Sequence, residues 1–202
     1  NASSFFPTKV GAIDTAACEA RGIAVCPATG ANDIAVAEYV LTAALVLLRG
    51  AWFATARVVA GEWPRMALIG REASGQRLGL VGFGAIARET AVRARALGMS
   101  VAACDPYLPD GHPAWNGIER LGLDDLLAAS DVVSLHVPLT RETRSLIDGR
   151  ALSLMKPRAV LINAARGGIV DEAALAAALR AGTLAGAALD VFETEPLDAA
   201  HG

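Results

Sequence analysis

The sequence has 202 residues, 53% hydrophobic and 19% charged, enough apolar material for one substantial domain plus part of another. A formal net charge of −3 gives no electrostatic reason to expect nucleic acid or an anionic membrane surface as a partner. Three cysteines without a CxxC pair argue against a disulfide framework, and His112, His136 and His201 are too scattered for a metal site.

Residues 1–9 carry no clear pattern, and Phe5-Phe6 is too short an apolar run for a signal peptide, so a reducing cytoplasm is the expected location. Gly22–Cys26 reads as a short strand closed by Pro27. Asn32 or Asp33 can then cap a helix running towards Arg49. Its residues Ile34, Val36, Tyr39, Val40, Leu41, Leu45, Val46, Leu47 and Leu48 leave almost no polar face. Such a helix is either plain core or packed against a second domain or subunit. Its uncharged run Tyr39–Leu48 is too short to span a bilayer. A second helical stretch, Trp52–Glu62, ends at Trp63-Pro64.

From residue 77 the pattern becomes regular. Apolar runs at Leu78–Val81, Val101–Cys104, Val132–Leu135, Val160–Ile162 and Ala185–Leu189 alternate with helical stretches, notably Ile86–Leu97, Asp124–Ala128 and Asp171–Ala181. Continuous apolar strands separated by helices predict an α/β fold with a doubly wound parallel sheet of the Rossmann type.

The strand Leu78–Val81 runs into Gly82-x-Gly84-x-x-Ala87 and then into a helix. Gly82 permits the tight turn, Gly84 lets the backbone approach a pyrophosphate, and Ala87 is small enough for helix and strand to pack closely. The helix start offers unpaired N–H groups and a positive dipole end to the phosphates. Asp105 follows at the end of the next strand, where a carboxylate accepts hydrogen bonds from the adenosine ribose hydroxyls and repels a 2′-phosphate. No arginine follows in Asp105-Pro106-Tyr107, so NAD is favoured over NADP.

Three further segments carry a more specific likeness: Ser134–Thr140, Val160–Glu172 with Asn163-Ala164-Ala165-Arg166-Gly167-Gly168, and Gly186–Pro196. With the phosphate loop they resemble, in order and spacing over about residues 31–202, the D-isomer-specific 2-hydroxyacid dehydrogenase family. The resemblance implies an oxidoreductase transferring a hydride between NAD(H) and a 2-keto acid / D-2-hydroxy acid pair. It implies that Arg166 binds the substrate carboxylate and polarises the 2-keto oxygen, a role suited to a permanently charged, forked guanidinium. Glu195 resembles the carboxylate that pairs with the family's catalytic histidine, with Glu193 as a solvated neighbour. Ala85 and Ile86 would offer backbone amides to the pyrophosphate. Asp190 would accept a hydrogen bond from the nicotinamide carboxamide, and His136, Pro138, Thr143 and Ala164 would line the groove.

The resemblance places the catalytic histidine on a later Pro-His strand, beyond Glu195-Pro196, and His201 is too close in sequence to Glu195 to be that residue. Residues 1–30 are then expected to be a remnant of a substrate domain, vaguely similar to it at Val10-Gly11-Ala12-Ile13-Asp14. Residues 31–202 form a dinucleotide-binding domain expected to be incomplete at its C-terminal side. A homodimer is expected, with a small 2-keto or 2-hydroxy acid as substrate. The alternative is an NAD-binding sensor or corepressor-like scaffold of the same fold without turnover.

Overall fold

The computed structural model describes residues 2–4, 13–28 and 30–197, so His201 and the segment Val10-Gly11-Ala12 lie outside the described residues. The chain begins with β1 (Ala2–Ser4), α1 (Thr15–Ala20) and β2 (Val25–Pro27), and β1 and β2 pair in parallel. Sequence reading finds the strand ending at Pro27 but misses β1 and α1. The start of α1 is fixed by a local cap, the Asp14 carboxylate accepting from the Ala17 amide at 2.9 Å.

The next element, α2 (Asp33–Arg49), stops at Gly50, whose φ of +65° suits a residue without a side chain. A 3-10 turn at Ala51–Ala54 leads into α3 (Thr55–Val59), so the single helix expected over Trp52–Glu62 is broken and shorter. The main unit then runs β3 (Arg77–Val81), α4 (Ala85–Ala96), β4 (Ser100–Cys104), β5 (Glu119–Arg120), α5 (Leu123–Ala129), β6 (Val132–Leu135), α6 (Gly149–Leu154), β7 (Val160–Asn163), α7 (Glu172–Arg180) and β8 (Gly186–Leu189).

Six strands form one sheet in the order β5-β4-β3-β6-β7-β8, every pairing parallel. The chain starts in the middle at β3, winds out to β5, returns to β6 and winds out the other way. This is the doubly wound Rossmann topology, and the reversal between β3 and β6 opens a crevice at the carboxyl ends of those strands.

Successive strand side chains alternate between the two faces. Leu78, Leu80, Val101, Val132, Val160 and Ile162 pack with α2 and α4, while Val81, Val133, Leu135 and Leu161 pack with the helices on the other face. At Gly79 a Cβ would lie 2.2 Å from Ser130 Oγ and 2.7 Å from Leu126 Cδ2, so α5 rests directly on the β3 backbone.

The helix read as apolar all round is divided in the structure. Ala37, Val40, Leu41, Ala44 and Leu48 form a buried stripe at helical spacing. Each larger aliphatic residue in it contributes roughly 1.5–3 kcal/mol by burial. Ile34, Tyr39 and Leu45 remain exposed on the outer side. Among the described residues no single helix is long and apolar enough to cross a membrane.

Candidate active site

The loop between β3 and α4 lies at the reversal point. Gly82 has φ +88°, and a Cβ there would lie 2.6 Å from the His136 carbonyl oxygen and 2.9 Å from Val137 Cγ1, so the segment just past β6 closes directly over it. Gly84 differs: its φ is −71°, open to any residue, and a Cβ built on it meets nothing within 4 Å. The protein itself gives no reason for a missing side chain there. A ligand approaching the Gly84 backbone does. Gly84 is also the N-cap of the twelve-residue α4, and no side chain caps that end, leaving the Ala85 and Ile86 region as an anion cradle. Ala87, fully buried, completes the turn.

Asp105 stands at the end of β4, and both its carboxylate oxygens are used. One accepts from the Phe83 amide at 2.8 Å and the other from the Tyr107 amide at 2.9 Å. The acid therefore holds the phosphate loop in shape as well as facing the cleft. Sequence reading missed Arg120, which the parallel register Ala103↔Arg120 brings to the same cleft although it lies well beyond Asp105 in sequence. Its guanidinium lies 5.4 Å from the centre of the Trp115 ring and pairs with Asp110, and Trp115 in turn stacks on Phe83.

Two clefts meet at Gly84, His136, Val137 and Pro138. The larger, about 940 Å³, is lined by Gly82, Gly84, Asp105, Arg120, His136, Pro138 and Thr143 among others. The smaller, about 360 Å³, is lined by Ala85, Ile86, Ala164, Ala165 and Arg166. Thr143 fixes the wall between them by donating to the Pro138 carbonyl at 2.6 Å. Burial pushes the His136 imidazole down to about 4, and its Nε2 lies 3.0 Å from Ser134 Oγ, so it is neutral near pH 7.

Arg166 follows β7 in a turn that also supplies Ala164 and Ala165 to the smaller cleft. Its Nη1 donates to the Ala165 carbonyl. Burial pulls its guanidinium pKa down, while the nearby Glu195 charge opposes that shift. A Cβ on Gly167 would lie 1.7 Å from the Phe192 carbonyl oxygen, so only glycine lets the Arg166 turn dock on the segment that carries Glu195. Glu195 Oε1 accepts from the Phe192 amide at 2.8 Å. The exposed Glu193 exchanges bonds with Glu172, accepting from its amide at 3.4 Å and donating its own amide to Glu172 Oε1 at 2.6 Å.

The structure thus brings Arg166 and the groove-lining residues together. Asp190 and Glu195 line neither cleft. Asp190 sits exposed just past β8, close enough for its charge to add to the burial that raises the Tyr39 pKa, and the Glu195 charge acts on Arg166.

A parallel-sheet crevice with a glycine-rich anion cradle and an acid at the second strand defines a dinucleotide-binding domain. The family profile described as "D-isomer specific 2-hydroxyacid dehydrogenase, NAD binding domain" matches residues 41–202, and the chain belongs to that family. The chain is 60% identical to an (S)-sulfolactate dehydrogenase of Chromohalobacter salexigens, over 93% of this chain and 61% of that protein. It is 45% identical to a D-3-phosphoglycerate dehydrogenase of Mycobacterium tuberculosis, over 91% of this chain and 35% of that protein. The crystal structure of D-lactate dehydrogenase with NAD+ from Lactobacillus jensenii superposes with a TM-score of 0.84 at 29% identity, covering 96% of this chain and 61% of that one. The chain therefore spans from about a third to about three fifths of these relatives.

Proposed function

We propose that this chain is the NAD-binding part of an oxidoreductase that interconverts a 2-keto acid and a D-2-hydroxy acid. The observation that carries the reading is Arg166 lining a small cleft that shares a wall with the dinucleotide crevice. NAD(H), when bound, supplies or accepts the hydride. Gly82, Gly84 and the amides of Ala85 and Ile86 would hold its pyrophosphate, Asp105 its adenosine ribose, and His136, Pro138, Thr143 and Ala164 the rest of the groove. Asp190 would meet the nicotinamide carboxamide. Arg166 forks onto the substrate carboxylate and favours negative charge on the reacting oxygen in a partly water-excluded site. Glu195 is the carboxylate for a proton-donating histidine, whose protonated form it would stabilise.

The 60% identity to an (S)-sulfolactate dehydrogenase makes sulfopyruvate the first substrate to test. A sulfonated methylene outranks a carboxylate in the priority rules, so (S)-sulfolactate has the same hand as D-lactate. We assign residues 1–30 to a remnant of the substrate domain. A homodimer in the cytoplasm fits the exposed apolar surface of Ile34, Tyr39, Leu45, Trp52, Phe53 and Val59 and the three free cysteines.

The test uses the complete gene product with NADH and a panel of sulfopyruvate, phosphohydroxypyruvate, hydroxypyruvate, glyoxylate and pyruvate, followed by NADH absorbance. At least one acid is reduced. Arg166→Lys lowers its turnover by about a hundredfold, roughly 2.7 kcal/mol of barrier, with NADH affinity nearly unchanged. Tight NADH binding with no acid reduced replaces the enzyme reading with a sensor.

A further inference from the structure

Asn163 is the last residue of β7, and the strand before it, Val160-Leu161-Ile162, is entirely apolar. Only 2% of its surface is exposed, and among the described residues it is the one buried carboxamide. An apolar side chain of the same size would avoid the cost of desolvating an amide, so this site has a use for both of its polar ends. Both point into the same turn. Oδ1 accepts from the Ala165 amide at 3.1 Å, and Nδ2 donates to the Arg166 carbonyl at 2.9 Å. The backbone of Asn163 also accepts from the Asp190 amide at 3.0 Å, tying the end of β7 to the end of β8.

The peptide planes before residue 165 and after Arg166 are therefore set by one side chain rooted in the core of the sheet. The far side of the turn is fixed by Gly167, which has room only for a hydrogen beside the Phe192 carbonyl. Arg166 is held between these two anchors, and its direction of departure from the turn has little freedom.

We propose that Asn163 is a positioning residue for Arg166: its carboxamide fixes the turn from which the guanidinium reaches the substrate carboxylate. The proposal rests on the reading of Arg166 as the carboxylate-binding group. Asn163 touches neither substrate nor dinucleotide. It acts through the backbone of residues 165 and 166, so its removal loosens substrate placement while leaving the phosphate loop on β3 and α4 intact.

The test is a double-mutant cycle in the complete gene product, with kcat/KM measured on the best 2-keto acid, NADH affinity by fluorescence titration and thermal melting. Asn163→Ala removes both bonds. Asn163→Leu removes both while keeping volume, and it decides the question where the alanine variant does not fold. On the wild-type background the substitution lowers kcat/KM about thirtyfold and leaves NADH affinity within about twofold. On the Arg166→Lys background it costs less than about threefold, because residues acting as one unit are not additive. The same large factor on both backgrounds, or a parallel loss of NADH affinity, overturns the proposal in favour of general structural damage. An Arg166→Lys variant with wild-type kcat/KM, or a wild type that reduces no 2-keto acid, overturns the reading of Arg166 and this proposal with it.

Discussion

Gly82 and Gly84 stand two residues apart and are glycine for unrelated reasons. Gly82 is fixed by the protein, through its positive φ and the His136 carbonyl against it, whereas Gly84 has an ordinary φ and open space beside it. Gly82→Ala is therefore a folding mutation. Gly84→Ala is a binding mutation: the poorer N-cap lowers its melting temperature by only about two to four degrees, while NADH affinity falls at least about tenfold, about 1.4 kcal/mol. Differential scanning fluorimetry and calorimetric titration of the same sample separate the two. A Gly84→Ala variant that binds NADH as tightly as wild type removes the anion cradle from the argument.

The motif at 82–87 was legible because tight turn, close approach and small contact are all local demands written in adjacent residues. Asp105 was legible by its distance from that motif, but its second task, holding the Phe83 amide, was not, since nothing in the sequence says which way a loop folds back. Arg120 was hidden for the same reason. Its place at the cleft comes from strand register with Ala103, not from nearness to Asp105. Gly167 was visible as a glycine, yet its cause is a carbonyl twenty-five residues away (192 − 167).

Elements with a continuous apolar pattern were read to within a residue or two, β3, β6 and α7 among them, because burial on a sheet face demands that pattern. Those missed are short or polar. The strand β5 is the exposed pair Glu119-Arg120, which exists only through its pairing with β4, and α6 is six residues started by the Asp148 side chain accepting from the Ala151 amide at 2.8 Å. Reading α2 as apolar all round was half of the truth: one stripe is core, and the rest is surface in a single chain. That outer side carries the dimer expectation. Leu45, with 37% of its surface exposed, has room for a charge in an isolated chain. Leu45→Glu thus leaves the fold intact and dissociates the homodimer, read by light scattering at micromolar concentration. A wild type already monomeric at that concentration, or a variant that remains dimeric, removes α2 from the interface.

At the scale of the whole molecule, one neutral histidine ties stability to pH. His136 lies where the two halves of the sheet diverge, and its folded pKa of about 4 is below the 6.5 of an unfolded chain. The unfolded state therefore binds the extra proton first as pH falls. Its contribution is complete above pH 6.5 and is lost progressively down to about 4. Between pH 6.5 and 5, above the main titration of the carboxylates, wild type should lose about 1.5 kcal/mol. His136→Gln, which retains a partner for Ser134, should lose much less over that interval. Thermal or urea unfolding in half-unit steps checks it, and equal slopes for the two proteins place the titrating group elsewhere.

The three tryptophans divide the molecule into two optical territories. Trp52 and Trp63 are 71% and 83% exposed, Trp52 within the apolar surface proposed to meet a second copy, whereas Trp115 is stacked on Phe83 of the phosphate loop and covered by Arg120. Emission from the exposed pair should be red-shifted in the free chain, and that of Trp52 should move towards the blue as copies associate. Trp115 is the donor set beside the crevice, where a dihydronicotinamide dinucleotide can take its excitation energy. One spectrum can thus follow assembly and cofactor loading as separate signals, without any label.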